Sequence, residues 1–179
     1  MSSNKKVVII DYGLGNLFSV KQACESLGFS LIVTNSPKEL KEADAAILPG
    51  VGAFKAAMDN LTKSGMKDGI LQFVEEGKPL MGVCLGLQLL FEKSEEFENC
   101  HGLGLIEGSV KRFVFEKEAR VKIPQISWNT IYPQKEGGWN NTPLENISTG
   151  EFMYFVHSYY VSPTNKEDIL TKTTYDTFE

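Results

Sequence analysis

The sequence is poor in cysteine and histidine. Its 179 residues hold three cysteines and two histidines. Cys24, Cys84 and Cys100 lie far apart and form neither a C-x-x-C pair nor the spacing of a zinc site. We therefore expect reduced thiols in a cytoplasmic protein without a metal site. We also expect no cofactor.

Long apolar runs and an excess of positive charge are also absent. No stretch approaches the length of a membrane span, and the apolar residues 7–10 are too few for the core of a signal peptide. The 18 Lys and Arg residues are outnumbered by 23 Asp and Glu, which gives a net charge of −5. This balance argues against nucleic acid or an anionic membrane as a partner.

The composition is otherwise that of a globular protein, with 42% hydrophobic and 23% charged residues. A chain of this length is sufficient for one domain with a sizeable core. We therefore expect a single domain over residues 1–179.

Apolar strands alternate with amphipathic helices in the first half of the chain. Strands are predicted at 7–10, 30–34, 45–48 and 79–83. Helices are predicted at 17–27, 36–40, 53–61 and 66–76. This order predicts an α/β fold with an open, mostly parallel sheet and helices on both faces.

The pattern changes after about residue 103. Strands joined by turns are predicted at 110–115, 123–131, 152–160 and 169–174, with no long helices between them. We expect them to form an antiparallel extension. The acidic run 91–98 is interpreted as a solvated helix end, and Trp128 and Trp139 as packing residues.

The segment 82–86 reads G-V-C-L-G and lies between a predicted strand and an amphipathic run. A turn this tight requires small residues on both sides of its apex. The apex side chain then projects over the end of the sheet at the first turn of a helix, as in a nucleophile elbow. Free N–H groups there favour the thiolate, so Cys84 is predicted to be a nucleophile.

The segment 49–52 reads P-G-V-G and follows a predicted strand. Ligands of open parallel sheets bind beyond the carboxyl ends of the strands. Glycines at that edge leave backbone N–H groups able to point at an oxyanion. The loop D-Y-G-L-G-N at 11–16 contains only G-x-G, so a shaped loop beside the active edge is favoured over a dinucleotide site.

The two histidines are the available candidates for a catalytic base. His101 lies in a polar segment and is interpreted as a surface residue. His157 lies at a predicted strand end, where a base for Cys84 and a hydrogen-bonded structural histidine are both compatible with the pattern.

Several ordered motifs together resemble a known family, the class I (triad) glutamine amidotransferases. The segments that carry this likeness are P-G-V-G at 49–52, G-V-C-L-G-L-Q at 82–88 and F-V-H-S-Y-Y at 155–160. Within that family, the glutaminase subunits of imidazole glycerol phosphate synthases are similar at 11–16, 105–108 and 123–129. The likeness runs from residue 7 to the end and implies a flavodoxin-like sheet.

The resemblance also implies a mechanism and a partner. Cys84 would attack the side-chain amide of L-glutamine and form a glutamyl thioester, with Val51, Gly52 and Leu85 as the oxyanion hole. The residues implied in holding glutamine are Gly50, Gly52, Gln88, His157, Ser158 and Tyr159. Ammonia would pass to a (β/α)8 cyclase subunit in a heterodimer that makes imidazole glycerol phosphate for histidine biosynthesis.

The sequence departs from the family pattern at the triad. The family takes its base and acid from a His-Pro-Glu motif on a later strand and ends with a closing helix, whereas no His-x-Glu occurs among these residues. We therefore expect a chain that is truncated at its C-terminus, without the last strand and helix. Gln125 and Ser127 stand where the family commonly has His and Gly, in a segment that faces the partner.

Three alternatives remain open from the sequence. A related subunit could serve bacterial surface-sugar biosynthesis with a cyclase-like partner. A catalytically dead binding subunit would fit the missing His-x-Glu. A cysteine peptidase or redox protein is disfavoured, because Gln88 and the P-G-V-G loop suit a small amide ligand.

Overall fold

A four-stranded parallel sheet forms the centre of the fold. The computed structural model describes residues 5–97, 100–115 and 121–178. The strands of this sheet are β1 (Val7–Ile10), β2 (Leu31–Thr34), β3 (Ala45–Leu48) and β4 (Leu80–Gly82). They lie in the order β2-β1-β3-β4, with all pairs parallel. The predicted parallel sheet is confirmed.

Helices cover both faces of this sheet. They are α1 (Leu17–Ser26), α2 (Pro37–Lys41), α3 (Phe54–Lys63), α4 (Met66–Glu75) and α5 (Leu85–Leu89). Val8 and Ile10 belong to the larger apolar cluster with α2 to α5, whereas Ile9 belongs to a smaller cluster with α1. Alternate side chains of a strand point to opposite faces, so a strand covered on both sides must be apolar throughout.

The helices begin and pack as their sequences require. The side chain of Asn16 accepts a hydrogen bond from the N–H of Ser19 at 3.2 Å and so caps α1. In α3 the buried residues are Phe54, Ala57, Met58 and Leu61. Their spacing places them on one stripe of the helix, which packs into the core.

Short strands dominate the second half of the described chain. They are β5 (Phe91–Ser94), β6 (Cys100–His101), β7 (Ile106–Arg112), β8 (Gln125–Thr130), β9 (Tyr132–Pro133), β10 (Phe152–His157), β11 (Tyr159–Pro163) and β12 (Thr171–Lys172). A mixed sheet has the order β11-β7-β5-β6, in which only the β5–β7 pair is parallel. Antiparallel ribbons pair β10 with β8 and β12 with β9. The antiparallel extension is confirmed.

Two local predictions in this half are wrong. The run 91–98 is not a helix end, because Phe91 and Ser94 are buried in strand β5, beside β7; residue 98 lies outside the described residues. The predicted strand 152–160 is broken at Ser158, where the chain leaves β8 and pairs with β7 instead. Long-range pairing overrides local propensity in both places.

Two other predicted strands, 110–115 and 169–174, differ from the observed strands in their bounds. Strand β7 begins at Ile106, earlier than predicted, and the predicted strand 169–174 is reduced to Thr171–Lys172. Trp139 is buried and donates its indole N–H to the carbonyl of Leu170 at 3.2 Å, as a packing residue should. Trp128 is 65% exposed, so its assignment as a packing residue is wrong.

The longest helices, α1, α3 and α4, have ten residues each. Across residues 5–97, 100–115 and 121–178, every helix falls short of the length and apolar character that a bilayer span requires.

Candidate active site

Cys84 occupies a strained turn between β4 and α5. Its backbone has φ 54° and ψ −116°, a region that L-residues other than glycine rarely adopt. Its carbonyl accepts the N–H groups of Leu87 at 3.0 Å and Gln88 at 3.3 Å, so Cys84 is the residue that begins the helix. The thiol is exposed. Strain of this kind is found at catalytic residues, where the surrounding structure holds the geometry in place.

Two glycines make this turn possible. A Cβ on Gly82 would lie 2.7 Å from the backbone nitrogen of Leu87, and a Cβ on Gly86 would overlap the carbonyl oxygen of Leu48. Neither neighbour can give way, because both are backbone atoms of packed elements. The G-x-C-x-G spacing is therefore a steric requirement of the elbow.

The loop 49–52 lies directly beside the elbow. It follows β3, and β3 pairs with β4, so the carboxyl ends of these two strands lie side by side. A Cβ on Gly50 would be 3.0 Å from the Cβ of Leu85 and 3.1 Å from the backbone nitrogen of Gly86. Gly52 has φ +99°, which favours glycine. The two motifs predicted to act together are thus in contact.

Unused backbone donors gather at this edge of the sheet. Within the described residues, the N–H groups of Val51, Gly52 and Leu85 donate to no protein acceptor. Val51 is 50% exposed, and Leu85 is the first residue of α5. Free N–H groups beside an exposed thiol are the donors that an oxyanion needs.

Tyr12 is a site residue that sequence reasoning missed. Its hydroxyl donates to the carbonyl of Pro49 at 2.9 Å, from the loop that follows β1. Burial raises the pKa of Tyr12, and the negative charge of a Cys84 thiolate raises it further. The available signal was topological, since β1 neighbours β3 and the loops after both strands meet at one edge.

Gln88 and the junction of β10 and β11 are joined through one carbonyl. The oxygen of Tyr159 accepts from the side-chain amide of Gln88 at 3.3 Å. The same oxygen lies 2.8 Å from Nδ1 of His157. The junction is therefore held against α5, and three of the residues predicted to bind substrate lie together.

His157 has the contacts of a positioning histidine. A bond from Nδ1–H to a carbonyl leaves Nε2 as the acceptor, and Nε2 is buried without a hydrogen-bond partner among the described residues. Burial lowers the pKa of His157, while the bond to Tyr159 acts in the opposite direction. Its Nε2 therefore makes no hydrogen bond to the thiol of Cys84. His101 is exposed on β6.

A cavity of about 480 Å³ lies beside this junction. Its lining residues are Glu95, Glu96, Phe97, Arg112, Ser158 and Tyr159. Glu96 also accepts a hydrogen bond from the N–H of Phe54 at 2.6 Å, at the start of α3. The interpretation of residues 91–98 as a solvated helix end does not predict this charged lining. Within the described ranges, no three His, Cys, Asp or Glu side chains are grouped as metal ligands would be.

Comparisons with known proteins show the family of this chain. The family model for glutamine amidotransferase class-I matches residues 8–178. The imidazole glycerol phosphate synthase subunit HisH of Aquifex aeolicus (strain VF5) is 46% identical, with 95% of this chain and 79% of that protein covered. The subunit of the same name from Bacillus subtilis (strain 168) is 44% identical over 93% of this chain and 77% of its own length.

Similarity to solved structures supports the same fold. A crystal structure of a glutamine amidotransferase superposes with a TM-score of 0.69, at 18% identity, over 92% of this chain and 79% of that one. At that identity the likeness concerns the fold alone. Taken with the match of the family model, these findings establish that the chain belongs to the class-I glutamine amidotransferase family.

Proposed function

We propose that this chain is the glutaminase subunit of an imidazole glycerol phosphate synthase, which acts in histidine biosynthesis. The observation that carries the proposal is the exposed Cys84 at a strained elbow beside free N–H groups. The names and the identities of the relatives support the assignment to histidine biosynthesis. The wide spacing of the three cysteines suits a reducing compartment, so we place the protein in the cytoplasm.

The first step would be attack of the Cys84 sulfur on the carboxamide carbon of glutamine. A C–S bond forms, and the carbonyl electrons move onto oxygen, where the N–H groups of Val51, Gly52 and Leu85 would stabilise the negative charge. The tetrahedral adduct then breaks its C–N bond, and the nitrogen leaves as ammonia after gaining a proton. Water hydrolyses the thioester to glutamate and returns the thiol.

The proton transfers in these steps need an acid–base group. By family resemblance that group is the histidine of a His-x-Glu motif, which these 179 residues do not contain. The extended chain is defined as these 179 residues followed by a segment that carries the His-x-Glu motif. In this proposal His157 belongs to the substrate pocket.

The surroundings of Cys84 suit an amino-acid substrate. Glutamine carries an ammonium and a carboxylate on its α-carbon, and the cavity beside Tyr159 offers Glu95, Glu96 and Arg112. Gln88 and Ser158 add amide and hydroxyl groups. We propose that the α-carbon groups lie toward the cavity and the side-chain amide lies over the sulfur.

The ribbon formed by β8 and β10 has an exposed apolar face that suits a docking surface for the cyclase subunit. Cross-strand pairs place Ile126 opposite Val156 and Trp128 opposite Tyr154. These four side chains are exposed, with Trp128 at 65% and Tyr154 at 55%. An exposed aromatic and aliphatic face is typical of a protein interface. We propose that the (β/α)8 cyclase binds this face in a heterodimer.

The test combines labelling with a rate measurement. A diazo-ketone analogue of glutamine should modify Cys84 and neither Cys24 nor Cys100, as read by mass spectrometry of the digested protein. Glutamate release by the extended chain should be low alone and rise when the cyclase subunit and its nucleotide ligand are added, because a glycine-flanked peptide can turn its N–H into place in the complex.

Cys84→Ala should abolish that release, and the matched Cys24→Ala should leave it unchanged. An adduct on Cys24 or Cys100 would contradict the assignment of the nucleophile. Equal rates with and without the cyclase would contradict the coupling to a partner.

A further inference from the structure

We propose that Tyr12 is a positioning residue for glutamine hydrolysis, which fixes the oxyanion loop through the carbonyl of Pro49. The oxyanion loop is defined as residues 50–52. This inference rests on the proposed function, because it assigns Tyr12 a role in glutamine hydrolysis that acts through the backbone carbonyl of Pro49.

Tyr12 is rigidly held. Its side chain is only 5% exposed, and its backbone carbonyl accepts the side-chain amide of Asn60 on α3 at 3.1 Å. Its hydroxyl donates to the carbonyl of Pro49 at 2.9 Å. The residue therefore connects the end of β1, the end of β3 and helix α3.

The oxyanion loop is fixed at both ends and free between them. Tyr12 holds the Pro49 carbonyl before the loop, and the carboxylate of Glu96 holds the N–H of Phe54 after it at 2.6 Å. Within the described residues, the N–H groups of Val51 and Gly52 have no protein acceptor. Peptide rotation is thereby confined to the segment between the Pro49 carbonyl and the Phe54 N–H. The peptides of this segment are the ones that would present N–H donors to an oxyanion.

The hydroxyl of Tyr12 also limits where the loop can lie. A Cβ on Gly50 would clash with that hydroxyl, and it would lie 3.0 Å from the Cβ of Leu85. Gly50 is thus enclosed between Tyr12 on one side and α5 on the other. Loss of the hydroxyl would leave the buried Pro49 carbonyl without its donor and let the loop retract from the elbow.

Tyr12 is suited to donate a hydrogen bond throughout the pH range of an enzyme assay. Its raised pKa keeps the phenol protonated, and a phenol that already donates to a carbonyl is not a base for Cys84. The expected defect is therefore in the geometry of the oxyanion loop, with the reactivity of the sulfur preserved.

The experiment uses the extended chain in complex with its cyclase subunit. Tyr12→Phe should lower kcat for glutamate release about tenfold and leave KM for glutamine within about twofold, which corresponds to the loss of one positioning hydrogen bond. The rate at which iodoacetamide alkylates Cys84 should not change, since that reaction forms no oxyanion. Tyr175→Phe is the matched control, because its hydroxyl donates to the carbonyl of Lys122 at 2.7 Å, outside the site; it should leave kcat unchanged.

A second variant tests the same geometry without removing the hydroxyl. Gly50→Ala should also lower kcat, and it should lower kcat less in the Tyr12→Phe background, because the clash with the hydroxyl is gone. Additive losses in the two variants would overturn the inference.

Other outcomes would also overturn it. An unchanged kcat in Tyr12→Phe, or a slower alkylation of Cys84 that parallels the loss in kcat, would each remove the positioning role. Failure of the proposed function appears separately, as a wild-type complex that releases no glutamate before any variant is compared.

Discussion

The two halves of the chain use their apolar side chains in different ways. In the first half, the strands β1 and β3 are buried on both faces, and the apolar stripes of α3 and α4 are buried against them. In the second half, the ribbon of β8 and β10 turns Trp128 and Tyr154 to the surface. Tight packing in the first half fixes the geometry of Cys84, whereas exposed aromatic side chains in the second half are available to a partner.

The site lies where the halves meet. Cys84, the oxyanion loop and Tyr12 come from the first half, and Tyr159 reaches Gln88 from the second. We therefore expect substitutions in the first half to affect chemistry and folding, and substitutions on the ribbon to affect assembly.

The largest effect is expected at the acid–base group. The 179-residue chain, which has no His-x-Glu motif, should release glutamate at least about 10³-fold more slowly than the extended chain. The reason is that the members of a catalytic triad act as a unit. His157→Ala should not change this ratio, since Nε2 of His157 makes no hydrogen bond to Cys84. Rates would be measured with the cyclase present. A fast 179-residue chain that His157→Ala inactivates would make His157 the base.

The second-largest effect is expected on the free energy of unfolding, when a glycine of the first half and a glycine of the second half are each replaced by alanine. Gly86→Ala should lower the free energy of unfolding by about 3 kcal/mol or more, because its Cβ would overlap the backbone of β3. Gly138→Ala in the second half, with φ +79° and open space around it, should cost about 1 kcal/mol. Urea unfolding of both variants provides the comparison. Equal losses would show that strained packing is not specific to the elbow.

The third effect concerns the ribbon. Trp128→Ala should weaken binding of the cyclase subunit roughly 30-fold, as expected for an aromatic residue at the centre of an interface. The midpoint of thermal unfolding should change little, because Trp128 is exposed. Leu27→Ala, at an exposed residue of the first half, is the control. Binding would be followed by calorimetry, and an unchanged Kd in Trp128→Ala would remove this face as the docking surface.

The smallest effect is a pH dependence of stability at His157. Its pKa is lowered in the folded state, so the unfolded chain binds the proton more readily once the pH falls below the ordinary value of 6.5. Stability from this residue is present above that value and is lost as the pH falls through it. The Tm of the wild type should therefore drop more between pH 7.5 and 5.5 than that of His157→Asn. An equal drop of Tm in the wild type and in His157→Asn would contradict this contribution.

Patterns of local origin could be predicted from the sequence. The apolar strands, the amphipathic helices and the G-V-C-L-G elbow are each specified by residues close together in the chain. The elbow follows from sterics alone, because only glycine fits at residues 82 and 86. The contact between the P-G-V-G loop and Cys84 could also be predicted, for a different reason: neighbouring strands of a parallel sheet present their carboxyl ends at one edge.

Features that depend on long-range pairing could not be predicted. The run 91–94 has the composition of a helix end and becomes a strand because β7 offers it backbone partners. The segment 152–160 reads as one strand and divides at Ser158 because two different sheets accept its parts. Nothing in the local sequence encodes those partners.

The sequence by itself determined the elbow at Cys84 and the parallel sheet, since steric limits at glycines and apolar periodicity act within a few residues. Only the tertiary structure decided the hydrogen bond of the Tyr12 hydroxyl, the contact of Nδ1 of His157 and the exposure of Trp128. Each depends on atoms far apart in the chain: the hydroxyl of Tyr12 reaches a carbonyl 37 residues away. Hydrogen-bond partners and exposed faces are properties of the packed chain, because they exist only once its distant segments have come together.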